Sequence, residues 1–130
     1  MVVSHAANRV NFCKPLADRQ AIQWMLADSA VELTKARAMT YQAVRHVEAG
    51  EDIGNGFSMC KFFCTEMVGR IADRAVQIHD GMGLVHGFEV ERFYQDICHY
   101  QVGEGASEIL RMFISPEMFR NVWPRREARA

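Results

Sequence analysis

The chain has 130 residues, 49% hydrophobic and 24% charged, with a formal net charge of −1. That length carries one core and not two, and the composition excludes a disordered polypeptide. A charge balance this close to zero supplies no general pull toward nucleic acid or an anionic membrane surface. No stretch approaches the ~18 consecutive apolar residues that would span a bilayer. The opening Met1-Val-Val-Ser-His-Ala-Ala7 lacks the basic region and long apolar run of a secretory leader. Cys13, Cys60, Cys64 and Cys98 make no metal-binding spacing with His79 or His99, and Cys60 and Cys64 suit reduced thiols on an apolar helix face. No metal site is expected.

Taken in chain order, Ser4–Val10 has helical composition, and Pro15 sits where a first helical turn tolerates it. From Leu16 to Ala49 there is neither glycine nor a further proline, which predicts one long helix. Ile22, Met25, Leu26, Ser29, Leu33, Ala36 and Ala43 form its main stripe. Trp24, Ala27, Val31, Ala38 and Tyr41 make a second apolar face, so this helix calls for neighbours on more than one side. Gly50-Glu-Asp-Ile-Gly-Asn-Gly56 ends it. Phe57–His79 is a second long helix, striped by Phe57, Cys60, Cys64, Met67, Val68, Ile71, Ala75 and Ile78, and the short connection makes the two antiparallel. Glu89–Cys98 and Ala106–Phe119 are two shorter helices. Ser107 and Glu108 occupy the first turn of the last one, where they satisfy orphan amides, and Pro116 is expected to bend or end it early. Alternating strand patterns are missing. The expected fold is all-α, an up-down four-helix-bundle-like domain with two long antiparallel helices. Arg125, Arg126 and Arg129 read as a solvated basic terminus.

Two glycine-bearing segments stand out. Val102-Gly-Glu-Gly-Ala-Ser-Glu-Ile-Leu-Arg111 sets Glu104 between two glycines at a helix mouth, a position from which a carboxylate in a partly dry pocket would act as a base. Gln77-Ile-His-Asp-Gly-Met-Gly83 runs a helix end into a glycine turn, where Gln77 and His79 either bind a phosphate or cap their own helix. Arg9 is either a phosphate contact or a surface charge.

The order Arg9-Val-Asn-Phe-Cys-Lys-Pro-Leu16, Gln20-Ala-Ile-Gln-Trp-Met-Leu-Ala-Asp28, Ala72-Asp-Arg-Ala-Val-Gln-Ile-His-Asp-Gly-Met-Gly83, Val90-Glu-Arg-Phe-Tyr-Gln-Asp96 and Gly103-Glu-Gly-Ala-Ser-Glu-Ile-Leu-Arg111 closely resembles the C-terminal domain of acyl-CoA dehydrogenases. The match covers residues 4 to 120. The resemblance implies a flavoprotein in which an acyl-CoA thioester loses its α-proton to a glutamate, here Glu104, while the β-hydride passes to FAD. The amide of Glu104 would polarise the thioester carbonyl. Gly105, Ala106 and Glu108 belong to the same flavin-facing motif, with Ala106 in place of the usual threonine. Arg9 and Phe12 match a segment that contacts the FAD of a neighbouring subunit, and Gln77, Gly81 and Gly83 match one that contacts its pyrophosphate. Cys13 and Asp80 stand where the family has glycine, and Gln95 replaces a common arginine. In some lineages the base stands on a different helix, before the position of Arg9.

The resemblance also implies a homo-oligomer, a dimer or tetramer, that passes electrons to an acceptor such as an electron-transferring flavoprotein. The family's N-terminal helical and middle β domains have no counterpart in residues 1–130, so this polypeptide alone is expected to be inactive. The contrasting expectation is a helical module that only self-associates or docks.

Overall fold

The computed structural model describes residues 1–119; the basic positions Arg125, Arg126 and Arg129 lie outside them. The order is α1 (Val2–Asn8), a ribbon of β1 (Val10–Asn11) and β2 (Lys14–Pro15), a 3-10 turn at Leu16–Asp18, α2 (Gln20–Glu48), α3 (Gly56–His79), a 3-10 stretch at Asp80–Leu84, α4 (Glu89–Val102) and α5 (Ser107–Phe119). The fold is all-α as the sequence predicts, with one short antiparallel ribbon pairing Val10 with Pro15 and Asn11 with Lys14.

Three boundaries differ from expectation by two residues or more. Helix α1 ends at Asn8 instead of Val10, because the chain turns extended at Arg9 to enter the ribbon. Helix α2 starts at Gln20, not Leu16. Arg19 is extended at φ −89 and ψ 121, and its guanidinium donates to the carbonyls of Asn11 and Phe12 at 2.8 and 3.3 Å, closing the ribbon. Helix α4 runs one turn beyond Cys98, to Val102. Helix α5 ends at Phe119 as expected, and Pro116 inside it does not end it early. The proline removes the bond to the Met112 carbonyl, but Met112 is exposed, so water can satisfy that carbonyl and the last turn survives.

The exit of α2 follows its glycine cluster. Gly50 takes φ +71, its N–H bonds the Val47 carbonyl, and the Glu51 N–H bonds that of His46, a Schellman ending. The chain then returns as α3, the centre of the molecule. Helix α2 lies along one side of it and α4 along another, with α1 against its C-terminal end and α5 against its N-terminal half. The core is small and rich in alanine. Ala36 and Ala43 come from α2, Met67, Ala72 and Ile78 from α3, and Val90, Ile97 and Leu110 from the last two helices. Gly69 of α3 faces α4, where the end of the Gln101 side chain and Ile97 lie over it.

The second apolar face of α2 has no partner among the described residues, with Trp24 61%, Val31 52% and Tyr41 65% exposed. Phe57, expected on the inner stripe of α3, is exposed at its first turn. An apolar groove of about 620 Å³ lies between α1, α3 and α4, lined by Val68, Ile71, Phe93 and Tyr100 among others.

Candidate functional site

Glu104 stands on the tight connection between α4 and α5. It has φ +56 and Gly105 has φ +99, two consecutive left-handed positions that turn the chain between the helices. For Gly105 this costs nothing; for a glutamate it costs roughly 1 kcal/mol, which the surroundings must offset. The offset is visible. The Gly103 N–H donates to the His99 carbonyl at 2.8 Å, the Lys61 ammonium of α3 donates to the Gly105 carbonyl at 2.5 Å, and the buried Ser107 hydroxyl donates to the Glu66 carboxylate of α3 at 2.6 Å. The Glu104 side chain is exposed, and its N–H has no partner among the described residues. The partly dry pocket expected around it is therefore not formed by these residues. Ala106 is half-buried beside it, whereas Glu108 is exposed and pairs at 3.8 Å with Arg111, whose guanidinium lies over the Phe62 ring.

The second segment builds a hollow of about 410 Å³ at the other end of α3. Arg9, Asn11, Gln77, Asp80 and Gly81 line its polar part. Arg9 makes no ion pair among the described residues. A side chain on Gly81 would meet only open space, whereas a Cβ on Gly83 would stand 2.8 Å from the Val76 carbonyl. The two glycines thus differ in kind. Gly83 lets the turn pack on the last turn of α3, and Gly81 leaves room beside Arg9 and Gln77. Asp80 takes φ +53 and ψ −140, a region that side chains avoid, at the place where the family pattern has glycine.

Of the two roles open to it, His79 turns back on its own helix. It is buried, its Nδ1 donates back to the Ala75 carbonyl at 2.7 Å, and its ring stacks on His5 at 4.2 Å and tilts against Phe88. It packs α1 onto α3. Burial first, then the neighbouring His79 and Arg9, hold the His5 imidazole below its ordinary value. Arg9 and Asp80 put opposed charges on the lining of the hollow. Phe12 is not part of it. It sits 84% exposed at the tip of the ribbon, where it and Cys13 both have positive φ, the pattern of a type I′ turn.

The expected residues thus fall into two groups. Lys61, which touches the Glu104 connection, and Gln77 are sixteen positions apart on α3, about 24 Å along its axis. Arg9, Gln77 and Gly81 come together at one end, and Glu104, Gly105, Ala106 and Glu108 at the other. Sequence reasoning missed Lys61 and Glu66, and no motif marks them. Among the described residues no group of three or more His, Cys, Asp or Glu is placed to hold a metal ion, and no helix is long and apolar enough to cross a membrane.

A family model of the acyl-CoA dehydrogenase C-terminal domain matches residues 1–119. The chain belongs to that family. Relatives include (R)-benzylsuccinyl-CoA dehydrogenase of Thauera aromatica, 37% identical over 119 residues, and the CarC subunit of the caffeyl-CoA reductase–Etf complex of Acetobacterium woodii, 36% identical over 113 residues. These matches cover 91% and 87% of this chain but 29% and 30% of the relatives. The acyl-CoA dehydrogenase domain seen here therefore spans less than a third of the curated relatives it matches. Among solved structures, the glutaryl-coenzyme A dehydrogenase–glutaryl-CoA complex superposes with a TM-score of 0.87 at 31% identity, covering 92% of this chain and 30% of that one. Butyryl-CoA dehydrogenase from Megasphaera elsdenii gives 0.88 at 28% identity, over 92% and 31%.

Proposed function

We propose that this domain serves the FAD-dependent α,β-dehydrogenation of an acyl-CoA thioester, with Glu104 as the base that removes the α-proton. One observation carries the reading: Glu104 is held on a left-handed turn with its carboxylate exposed and its own N–H unpaired. That N–H is free to donate to the thioester carbonyl and stabilise the enolate charge as the proton leaves. When bound, FAD supplies the hydride acceptor. Gly105 keeps the backbone slim beside it, with Ala106 and Glu108 completing that edge.

At the far end, Arg9, Gln77 and Gly81 fit an anionic pyrophosphate, since Arg9 is unpaired and the space at Gly81 is open. Asp80 is the one lining group that opposes it. With the two groups of residues about 24 Å apart along α3, this end serves the flavin of a neighbouring protomer, and Phe12 extends the contact from the ribbon tip. The reading thus requires a homo-oligomer, and it requires further walls around Glu104, which the proposal assigns to an N-terminal helical and a middle β domain. An electron-transferring flavoprotein is the acceptor, by analogy with the Etf complex named for the Acetobacterium relative. The bacterial relatives favour the cytoplasm.

The test is Glu104→Gln in the flavin-loaded enzyme, followed by stopped-flow bleaching of the flavin. The variant keeps shape and hydrogen-bonding reach but accepts no proton. Flavin and acyl-CoA binding should persist while flavin reduction slows at least ~10²-fold. Reduction at nearly the parental rate would place the base elsewhere. The open face of α2 favours a second reading, a module that only associates. An FAD titration of this polypeptide addresses it: binding would contradict a module that only associates.

A further inference from the structure

We infer that Lys61 and Glu66 of α3 are positioning residues for Glu104, acting as a two-point clamp on the connection that presents it. The inference rests on the proposed role of Glu104 and adds two residues that no part of the motif contains.

The geometry is specific. Lys61 donates to the Gly105 carbonyl, one residue after Glu104, and Glu66 accepts from the Ser107 hydroxyl, three residues after it. Both anchors come from one rigid helix, five positions apart. Because the peptide group is planar, fixing the Gly105 carbonyl fixes the plane of the Gly105–Ala106 peptide and so the ψ of Gly105. Ser107 is buried, and its bond to Glu66 fixes where α5 begins. Between these points and the Gly103–His99 bond, Glu104 has little freedom left despite its unfavourable φ.

A lysine is suited to this work. Its ammonium is a compact charge on a flexible stem, and a charge-assisted bond to a carbonyl is about twice as strong as a neutral one. Neither anchor touches the Glu104 carboxylate in this structure, which stays available. A base must stand within hydrogen-bond reach of the proton it abstracts, and a displacement of about 1 Å costs on the order of 10²-fold in rate.

The test has two arms. In this polypeptide, backbone order parameters are measured for Gly103 to Ser107 by NMR in the parent, Lys61→Met and Lys61→Arg. The parent and the Arg variant should hold Glu104 and Gly105 near about 0.85, while the Met variant should fall below about 0.6, with α3 unchanged. Equal values in the parent and the Met variant would overturn the clamp. Lys61→Leu, which also lacks a donor, is read in the same way if the Met variant does not fold.

In the flavin-loaded enzyme, Lys61→Met should slow flavin reduction by roughly 10²-fold at saturating acyl-CoA with KM within about threefold, and Lys61→Arg should restore most of it. A Met variant at the parental rate, alongside a slow Glu104→Gln control, would overturn the positioning role and leave the base in place. A Glu104→Gln control at the parental rate would instead remove the proposed base, while the order parameters would still decide the clamp.

Discussion

Four non-glycine residues carry positive φ among the described residues: Phe12, Cys13, Asp80 and Glu104. All four lie in the segments that carry the family resemblance, and two stand where the family has glycine. Strain concentrated in this way is the usual mark of sites where position matters more than stability. Asp80 is the informative case, because its backbone is unfavourable and its charge lines the hollow that holds Arg9. Asp80→Gly should raise stability by about 1 kcal/mol, after allowing for the greater freedom of glycine in the unfolded chain. It should also tighten FAD binding about fivefold, by removing a negative charge near the pyrophosphate. Thermal unfolding and a flavin titration read the two effects separately. A stability gain without a change in affinity would mean that Asp80 points away from the ligand.

Among the elements, the long helices were legible because α2 and α3 lack internal proline and carry continuous apolar stripes. The break at Arg19 was not, since it depends on a guanidinium reaching back across the ribbon. The site divides in the same way. Glu104 is marked by its flanking glycines, but Lys61 and Glu66 are 44 and 41 residues from their partners in sequence, and nothing local connects them. The pairing of α2 with α3 rests on a similar contact. Glu32 accepts from Arg70 at 2.8 Å and from Arg74 at 2.7 Å. Burial alone would raise its carboxyl, but the hydrogen bonds and charges of the two arginines outweigh that and hold it below the ordinary value. A depressed carboxyl stabilises the fold above its unfolded value and loses that contribution as pH falls through the folded value. Glu32→Ala should therefore cost about 1–2 kcal/mol at neutral pH, shrinking below about pH 4 as the parent's own carboxyl protonates. Denaturant unfolding at the two pH values checks the sign. An equal loss at both would point to packing instead of charge.

At the scale of the whole molecule, the described residues leave apolar surface open on α2 and between α1, α3 and α4. Trp24, Val31 and Tyr41 on α2 and the groove between α1, α3 and α4 call for cover. Light scattering at tens of micromolar should report a dimer or larger species, and Val31→Glu should shift it toward smaller ones. A clean monomer would contradict the association. The proposed function gives a second ground for an oligomer, since Glu104 lies at one end of α3 and the Arg9–Gln77–Gly81 hollow at the other. On that proposal each protomer completes the site of another.

Mixed oligomers test that claim most directly. Differently tagged chains of the flavin-loaded enzyme, one carrying Arg9→Ala and the other Glu104→Gln, are co-expressed, and the mixed dimers are isolated and assayed. Each variant alone should be nearly inactive, because every site lacks either its pyrophosphate contact or its base. In a mixed dimer one site joins the intact Glu104 of one chain to the intact Arg9 of the other, so about half of the parental activity should return. Mixed dimers no more active than either variant alone would contradict the account.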